Sequence, residues 1–326
     1  MKIALRNSPM GPREKLEPAE TGRVTAIHKA TTGYPCKALC FVQFIHPGGE
    51  PRPDNGCFKA WNLDDHKRKF LVSSGRCIRH KKVRTAELLF WGEWEPESEV
   101  VCRMAQPRSQ YPRYVYRPFY VVPHSYKGLQ NTDPFVFGGF LYGNCQQHTK
   151  GKPTRLCSLE RGSVILFGSC LSSKFVVDTV FVVRDSILYD CASYRSATLG
   201  HVPRGYVEVV LDPLCLSGRS RNKRCPPPEG EPYRLYIGAT YTRQVDGMFS
   251  FFPCIPREEG CQGFKRPVIE MPGLVTPALN RKFRLNCGLD KRQIRDDWQS
   301  VVEQVLRQDL WLGIQAQMPN SRRPPR

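Results

Sequence analysis

The residues best suited to chemistry lie in the stretch NTDPFVFGGFLYGNCQQ at positions 131–147, where amide side chains occur together with aromatic rings. Amides carry both hydrogen-bond donors and acceptors, which reading the edge of a nucleobase requires, and aromatic rings offer a stacking surface. The stretch therefore predicts a base-binding pocket formed by Asn131, Phe137, Tyr142, Asn144, Gln146 and Gln147. An alternative stays open, because the same residue types favour turns and satisfy buried backbone groups.

Asp178 is the first candidate for a catalytic carboxylate, and Asp133 is the second. Strand alternation puts Asp178 on one face with Val176, Val180 and Val182, and leaves the other face to Phe175, Val177, Thr179 and Phe181. Both faces are apolar, so the carboxylate should be at least partly buried and should need a hydrogen-bonding or cationic partner. Burial raises its pKa, which suits a general base or a stabiliser of a cationic transition state. A structural hydrogen bond to a neighbouring loop is the alternative role.

Two strands should position Asp178. Residues 164–167 and 175–183 are rich in β-branched and aromatic residues, and CLSSK between them is turn-like. The segment LERGSVILFGSCLSSKFVVDTVFVV at 159–183 resembles the barrels of the PUA, ASCH and EVE type, although Ser163 stands where many members have Asp. The chain is also similar to uncharacterised bacterial proteins associated with modified DNA. The resemblance implies binding of RNA or capture of a modified base.

The charge of the chain points to a polyanionic partner. Lys and Arg number 49 against 30 Asp and Glu, giving a net charge of +19. Nucleic acid, with DNA favoured, is the expected partner, while no amphipathic basic helix or apolar span favours a membrane. The expected phosphate-binding residues are Arg76, Arg79, Lys81, Lys82, Arg84, Arg219 and Arg221. A solvated basic face is the alternative, and the acid-flanked strand at 87–95 can pair with the basic run at 66–84.

The fourteen cysteines are spread thinly and the start of the chain turns polar after three apolar residues, so we expect no signal peptide, reduced thiols and a cytoplasmic protein. Cys36 and Cys40 should be core thiols. Neither metal nor cofactor is expected, because paired zinc ligands, a Walker loop, GxGxxG, HExxH and GxSxG are missing.

The predicted fold class is α+β and predominantly β, with a mixed or antiparallel sheet or a partly open barrel. Strands are expected at 38–45 and 206–211, among others, and apolar residues at helical spacing from Asp290 predict a C-terminal amphipathic helix. We expect an irregular leader at 1–32, a single domain at 33–318 with a basic loop at 216–232, and a disordered basic tail at 319–326.

Together these patterns predict a protein that captures a flipped and modified base, in the first place a DNA glycosylase. A bulky base of the kind that phages carry is the expected substrate, with a role in antiviral defence. A reader of modified DNA or RNA without enzymatic activity is the alternative. A metal-dependent nuclease ranks third, because Asp133, Glu160 and Asp178 form no recognised metal motif.

Overall fold

The computed structural model describes residues 37–63, 66–104, 108–150, 152–216, 232–260, 262–277 and 282–322. The predicted leader, Cys36, the basic loop between positions 217 and 231 with Arg219 and Arg221, and the last four residues lie outside the described residues.

The described chain is α+β and predominantly β, as predicted. Its strands are β1 Cys40–Ile45, β2 Phe58–Lys59, β3 Lys69–Arg79, β4 Lys82–Gly92, β5 Ser98–Arg103, β6 Tyr114–Pro118, β7 Tyr120–Val121, β8 Leu141–Tyr142, β9 His148–Thr149, β10 Lys152–Pro153, β11 Val164–Leu171, β12 Lys174–Tyr189, β13 Tyr233–Gly238, β14 Phe252–Pro256, β15 Phe283–Cys287, β16 Trp311–Ala316 and β17 Ser321–Arg322.

The first large sheet has the strand order β15-β1-β11-β12-β13-β8. Among these described strands, β1 and β11 run parallel and the other neighbours run antiparallel. The long strand β12 therefore lies near the middle, and its apolar run is buried on both faces, as its sequence predicts.

The second large sheet has the order β16-β14-β4-β3-β6-β5-β2. Strand β16 pairs with both β14 and β3, and β4 pairs with both β14 and β3, so these four strands close into a ring. The strand at 82–92 thus pairs along its whole length with the strand of the basic run, β3.

The described residues form two hydrophobic clusters, one on each face of β1 and β11. Phe41 and Leu166 belong to one cluster, whereas Val42 and Phe167 belong to the other. Both clusters also contain side chains of β3 and β4, so the two sheets share their core.

The C-terminal helix is confirmed. It spans Lys291–Arg307, and the side chain of Asp290 caps it by accepting a hydrogen bond from the backbone N–H of Gln293. Its apolar stripe lies in the hydrophobic cluster that contains Phe41 and comprises Ile294, Trp298, Val301, Val302 and Val305. No helix among the described residues is long and apolar enough to span a bilayer.

The predicted strand at 206–211 is wrong. The chain is helical at Arg204–Tyr206, Val207–Leu211 and Asp212–Leu216, the middle piece being a π-helix. Tyr206, Val209, Val210 and Leu214 all enter the core, at the spacing of a helix face. The β-branched residues within 206–211 favour a strand locally, but the apolar residues of the longer segment 204–216 follow helical periodicity.

Two further predictions are corrected. Cys40 forms a disulfide with Cys287, linking β1 to β15, so it is not a free core thiol and the expectation of reduced thiols is wrong for this pair. The tail is ordered at Ser321–Arg322, which pairs in parallel with β7. Arg322 lies over the ring of Phe119 at 3.8 Å from its centroid, which holds the segment in place.

Candidate functional site

A β-bulge at Asp178 interrupts the pairing of β11 with β12. Phe167 is opposite Thr179 and Gly168 is opposite Val177, so Asp178 has no partner residue across the ladder. A Cβ at position 168 would lie 2.0 Å from the carbonyl oxygen of Val176, so only glycine fits there. Bulges of this kind re-aim a side chain and recur beside active sites.

The bulge reverses the alternation that the sequence predicts. Val177 and Val180 enter the same hydrophobic cluster, although strict alternation places them on opposite faces. The extra residue between them changes the parity of the strand. Asp178 is buried, as predicted, and its partners are cationic side chains.

Six charged or ionisable side chains form what we call the ionic cluster: His66, Arg68, Glu93, Glu95, Asp178 and Arg266. All except His66 are buried. Buried charges are costly unless they are paired, and groups of them are characteristic of functional sites.

Asp178 lies between the two arginines of the cluster. Its Oδ2 accepts a 3.1 Å hydrogen bond from Arg68 Nε and lies 3.8 Å from Arg266 Nη1. Its Oδ1 accepts no hydrogen bond from any described residue. Burial raises the pKa of the Asp178 carboxyl group, while Arg266 and Arg68 act in the opposite direction.

Arg68 and Glu93 face each other because of strand register. Lys69 of β3 is opposite Gly92 of β4, so the residues just beyond these strand ends are also neighbours. Arg68 Nη1 donates to Glu93 Oε2 at 2.6 Å. Burial alone would raise the pKa of Glu93, but Arg68 and His66 hold that pKa below its usual range. Pairing between the acidic flank and the basic run, one of the sequence alternatives, is confirmed here.

Asp133 connects the cluster to the predicted base-binding stretch. Its backbone N–H donates to Glu93 Oε1 at 2.9 Å. Its carboxylate accepts hydrogen bonds from the backbone N–H groups of Gly143, Asn144 and Cys145 at 2.7 to 3.0 Å. Burial raises the pKa of Asp133 to about 7. Both oxygens are engaged by the backbone, so Asp133 positions the turn and is not oriented to act as a catalytic base.

Cys145 and His46 are in contact, which the sequence did not indicate. Cys145 Sγ lies 3.5 Å from His46 Nε2, and the other ring nitrogen, Nδ1, lies 4.0 Å from Glu93 Oε2. Burial and Arg68 lower the pKa of His46, and burial and Asp133 raise the pKa of Cys145. The pair is therefore an uncharged thiol beside an uncharged imidazole. His46 follows β1 in a Pro-Gly turn, and no motif spacing links it to Cys145.

His66 forms the exposed edge of the cluster, with 30% of its side chain accessible. Its Nδ1 lies 3.2 Å from Glu93 Oε1 and 3.1 Å from Glu95 Oε1. Burial opposes the charged imidazolium, but Glu95 and Glu93 raise the pKa of His66 well above its ordinary value.

Three of the predicted base-binding residues belong to the core, which corrects their assignment. Phe137 and Tyr142 are fully buried, and the ring of Tyr142 stacks on Tyr236 with centroids 5.7 Å apart. Gln147 bonds through both amide atoms to the backbone of Arg234, with Nε2 donating to the carbonyl and Oε1 accepting from the N–H. These side chains present no free face to a ligand, because contacts within the protein cover them.

The other three amides remain candidates. Asn131, Asn144 and Gln146 are half-buried. The side-chain nitrogens of Asn131 and Asn144 are buried yet donate to no described residue. Buried polar groups are nearly always paired, so such atoms are typical of a recognition site. Asn144 is tied to the ionic cluster through its backbone bond to Asp133.

The five predicted phosphate-binding residues that the structure describes divide into two groups. Arg79 pairs with Asp309, and Arg84 pairs with Glu258 and Glu259. The exposed residues Arg76, Lys81 and Lys82 form no ion pair with a described residue. They lie near the tip of the β3–β4 hairpin, whereas Arg68 precedes its base, about 30 Å away along an extended strand.

The fold and the site define a predominantly β protein with an internal ionic cluster that reaches the surface at His66. Comparison of the chain with models of protein families, with curated proteins and with solved structures finds no match.

Proposed function

We propose that the protein acts on nucleic acid and removes a modified base from its sugar, as a DNA glycosylase. The observation that carries the proposal is the bulge at Asp178, which holds a buried carboxylate with one unbonded oxygen beside two arginines. The net charge of +19 supports an anionic partner. The resemblance of residues 159–183 to base-capturing barrels agrees with this proposal.

The proposed chemistry uses the carboxylate as an anion. Burial raises the pKa of the Asp178 carboxyl group, and Arg266 and Arg68 oppose that rise because their charge favours the ionised form. A carboxylate in a water-poor site stabilises the positive charge that develops on the sugar when the base leaves, and it orients the water that completes hydrolysis. The free amide donors of Asn131 and Asn144 would then read the edge of the base. No cofactor enters these steps.

A second candidate is a reader of modified DNA or RNA that performs no chemistry. The unbonded amides of Asn131 and Asn144 favour it, because recognition of a base edge needs donors but no carboxylate. A metal-dependent nuclease stays third. Action in the cytoplasm and in antiviral defence belongs to the same proposal.

Incubation with duplexes that carry natural or modified bases tests these functions. Release of free base, detected by mass spectrometry, with strand breaks only after alkali supports the glycosylase. Binding without any product supports the reader. Breaks that require a divalent cation support the nuclease, and absence of binding to every duplex and to RNA contradicts the proposal.

A further inference from the structure

We propose that His66, Glu93 and Glu95 bind a divalent transition-metal cation, at a site that no motif in the sequence predicts. One donor atom from each residue lies within 4.8 Å of the other two. The imidazole Nδ1 is 3.2 Å from one carboxylate oxygen and 3.1 Å from the other. Nitrogen and oxygen ligands of a metal such as zinc lie about 2.0–2.2 Å from it, so neighbouring ligands are about 3 Å apart. The two nitrogen–oxygen separations are close to this value.

Both carboxylates are oriented by other side chains. Asn62 donates to Glu95 Oε2 at 2.6 Å, and Arg68 donates to Glu93 Oε2 at 2.6 Å. In each case the other oxygen, Oε1, faces His66. Glu93 Oε1 also accepts the backbone N–H of Asp133, which uses one of its two lone pairs. Metal ligands are characteristically held in this way by outer hydrogen bonds.

A second and independent observation is the orientation of His46. Its side chain is 5% exposed, and its Nδ1 lies 4.0 Å from Glu93 Oε2 without a hydrogen-bond partner among the described residues. This nitrogen lies beside the carboxylate oxygen of Glu93 that also accepts from Arg68, whereas Oε1 of the same carboxylate faces His66.

The arginines of the described ionic cluster leave one negative charge of its carboxylates unbalanced. Glu93, Glu95 and Asp178 are opposed by only the two guanidinium groups of Arg68 and Arg266 within the described ionic cluster. The remaining negative charge lies next to His66, and either a proton on its imidazole or a bound cation compensates it. One imidazole with two carboxylates suits Mn²⁺, Fe²⁺ or Zn²⁺ better than a soft metal that requires thiolates.

Mn²⁺ is the probe of choice, because it prefers nitrogen and oxygen ligands and so avoids the many thiols of the chain. The full-length protein is treated with EDTA, exchanged into buffer and titrated with Mn²⁺ while free Mn²⁺ is followed by electron paramagnetic resonance. We expect one equivalent bound per chain. His66→Ala and Glu95→Gln should each weaken binding at least tenfold, whereas His124→Ala and Glu160→Gln, at exposed positions, should leave it unchanged.

Thermal unfolding of each variant establishes that it is folded. Glu95→Gln keeps the shape of the side chain, so it remains informative if His66→Ala fails to fold. Absence of stoichiometric binding, or equal binding by Glu95→Gln and Glu160→Gln, overturns the proposal and assigns the cluster to a protonated His66 between two carboxylates. Base release is measured separately in EDTA, so this result is independent of the proposed glycosylase activity.

Discussion

Arg68 donates a 3.1 Å hydrogen bond to Asp178 across a sequence separation of 110 residues. The bond joins the chain just before β3 to the bulge in β12, and so connects the two large sheets through a buried ion pair. Because Arg68 also binds Glu93, one guanidinium group organises the ionic cluster.

The first prediction concerns catalysis by Asp178. Asp178→Asn should lower the rate of base release roughly 100-fold or more, since the amide cannot supply the negative charge that stabilises the transition state. Asp185→Asn, an exposed change in the same strand, is the matched control and should keep the activity. If folded Asp178→Asn, verified by its melting temperature, releases base at the normal rate, Asp178 is not catalytic.

The second prediction concerns the stability that Arg68 provides. Arg68→Met should reduce the free energy of unfolding by about 3–5 kcal/mol, because it leaves Asp178 and Glu93 buried without their partner. Arg79→Met removes an ion pair whose acid, Asp309, is exposed, and it should cost at most about 1 kcal/mol. Urea denaturation measures both changes. Equal losses for the two variants would contradict a central role for Arg68.

The third prediction is a pH dependence that originates at Asp133. Its pKa is about 7 in the folded protein, against about 3.9 in an unfolded chain. The folded state therefore holds more protons between these values, so this contribution to stability is complete below about pH 4 and is lost as the pH rises through 7. The loss amounts to up to about 4 kcal/mol.

Comparison of the native protein with Asp133→Asn isolates that contribution from the neighbouring Glu93, His46 and Cys145. Urea denaturation at several pH values between 4 and 8 should show stability falling with pH more steeply in the native protein than in the variant. Parallel curves would mean that Asp133 is ionised throughout this range.

The fourth prediction tests the basic hairpin. Alanine at Arg76, Lys81 and Lys82 should weaken binding to any duplex and reduce the slope of log affinity against log salt by about 3, because three phosphates are no longer neutralised by the protein. Arg79→Ala with Arg84→Ala should have a smaller effect, because these residues already pair with acids. Fluorescence anisotropy at increasing salt concentrations measures the affinity of each variant for a duplex. If the affinity of the native protein does not change with salt, nucleic acid is not the partner.

The fifth prediction concerns the bond between Cys40 and Cys287, which are 247 residues apart. Reduction should lower the free energy of unfolding by about 2–4 kcal/mol. The double variant Cys40→Ser, Cys287→Ser should already be less stable and should not respond to reductant at this site. A native protein equally stable with and without reductant, and lacking the linked peptides in mass spectrometry, would show that the cysteines are thiols in solution.

The sequence predicts the β-rich fold class, the strands that include β1 and β11, and the C-terminal helix that begins near Asp290. These features follow from local periodicity and local hydrogen bonds, so they can be read within a window of some ten residues. It also determined that Asp178 is buried, because apolar residues surround it in the strand.

The contacts of Asp178 depend on the tertiary fold. A bulge depends on the register between β11 and β12, and the partner Arg68 comes from another sheet, so neither is visible in the spacing of one segment. The same reason explains why the prediction that Phe137 and Tyr142 bind a base was wrong. The sequence does not distinguish an aromatic side chain that stacks on a base from one that stacks on a neighbour such as Tyr236. Long-range packing determines which of these contacts forms, and it also brings His66, Glu93 and Glu95 together.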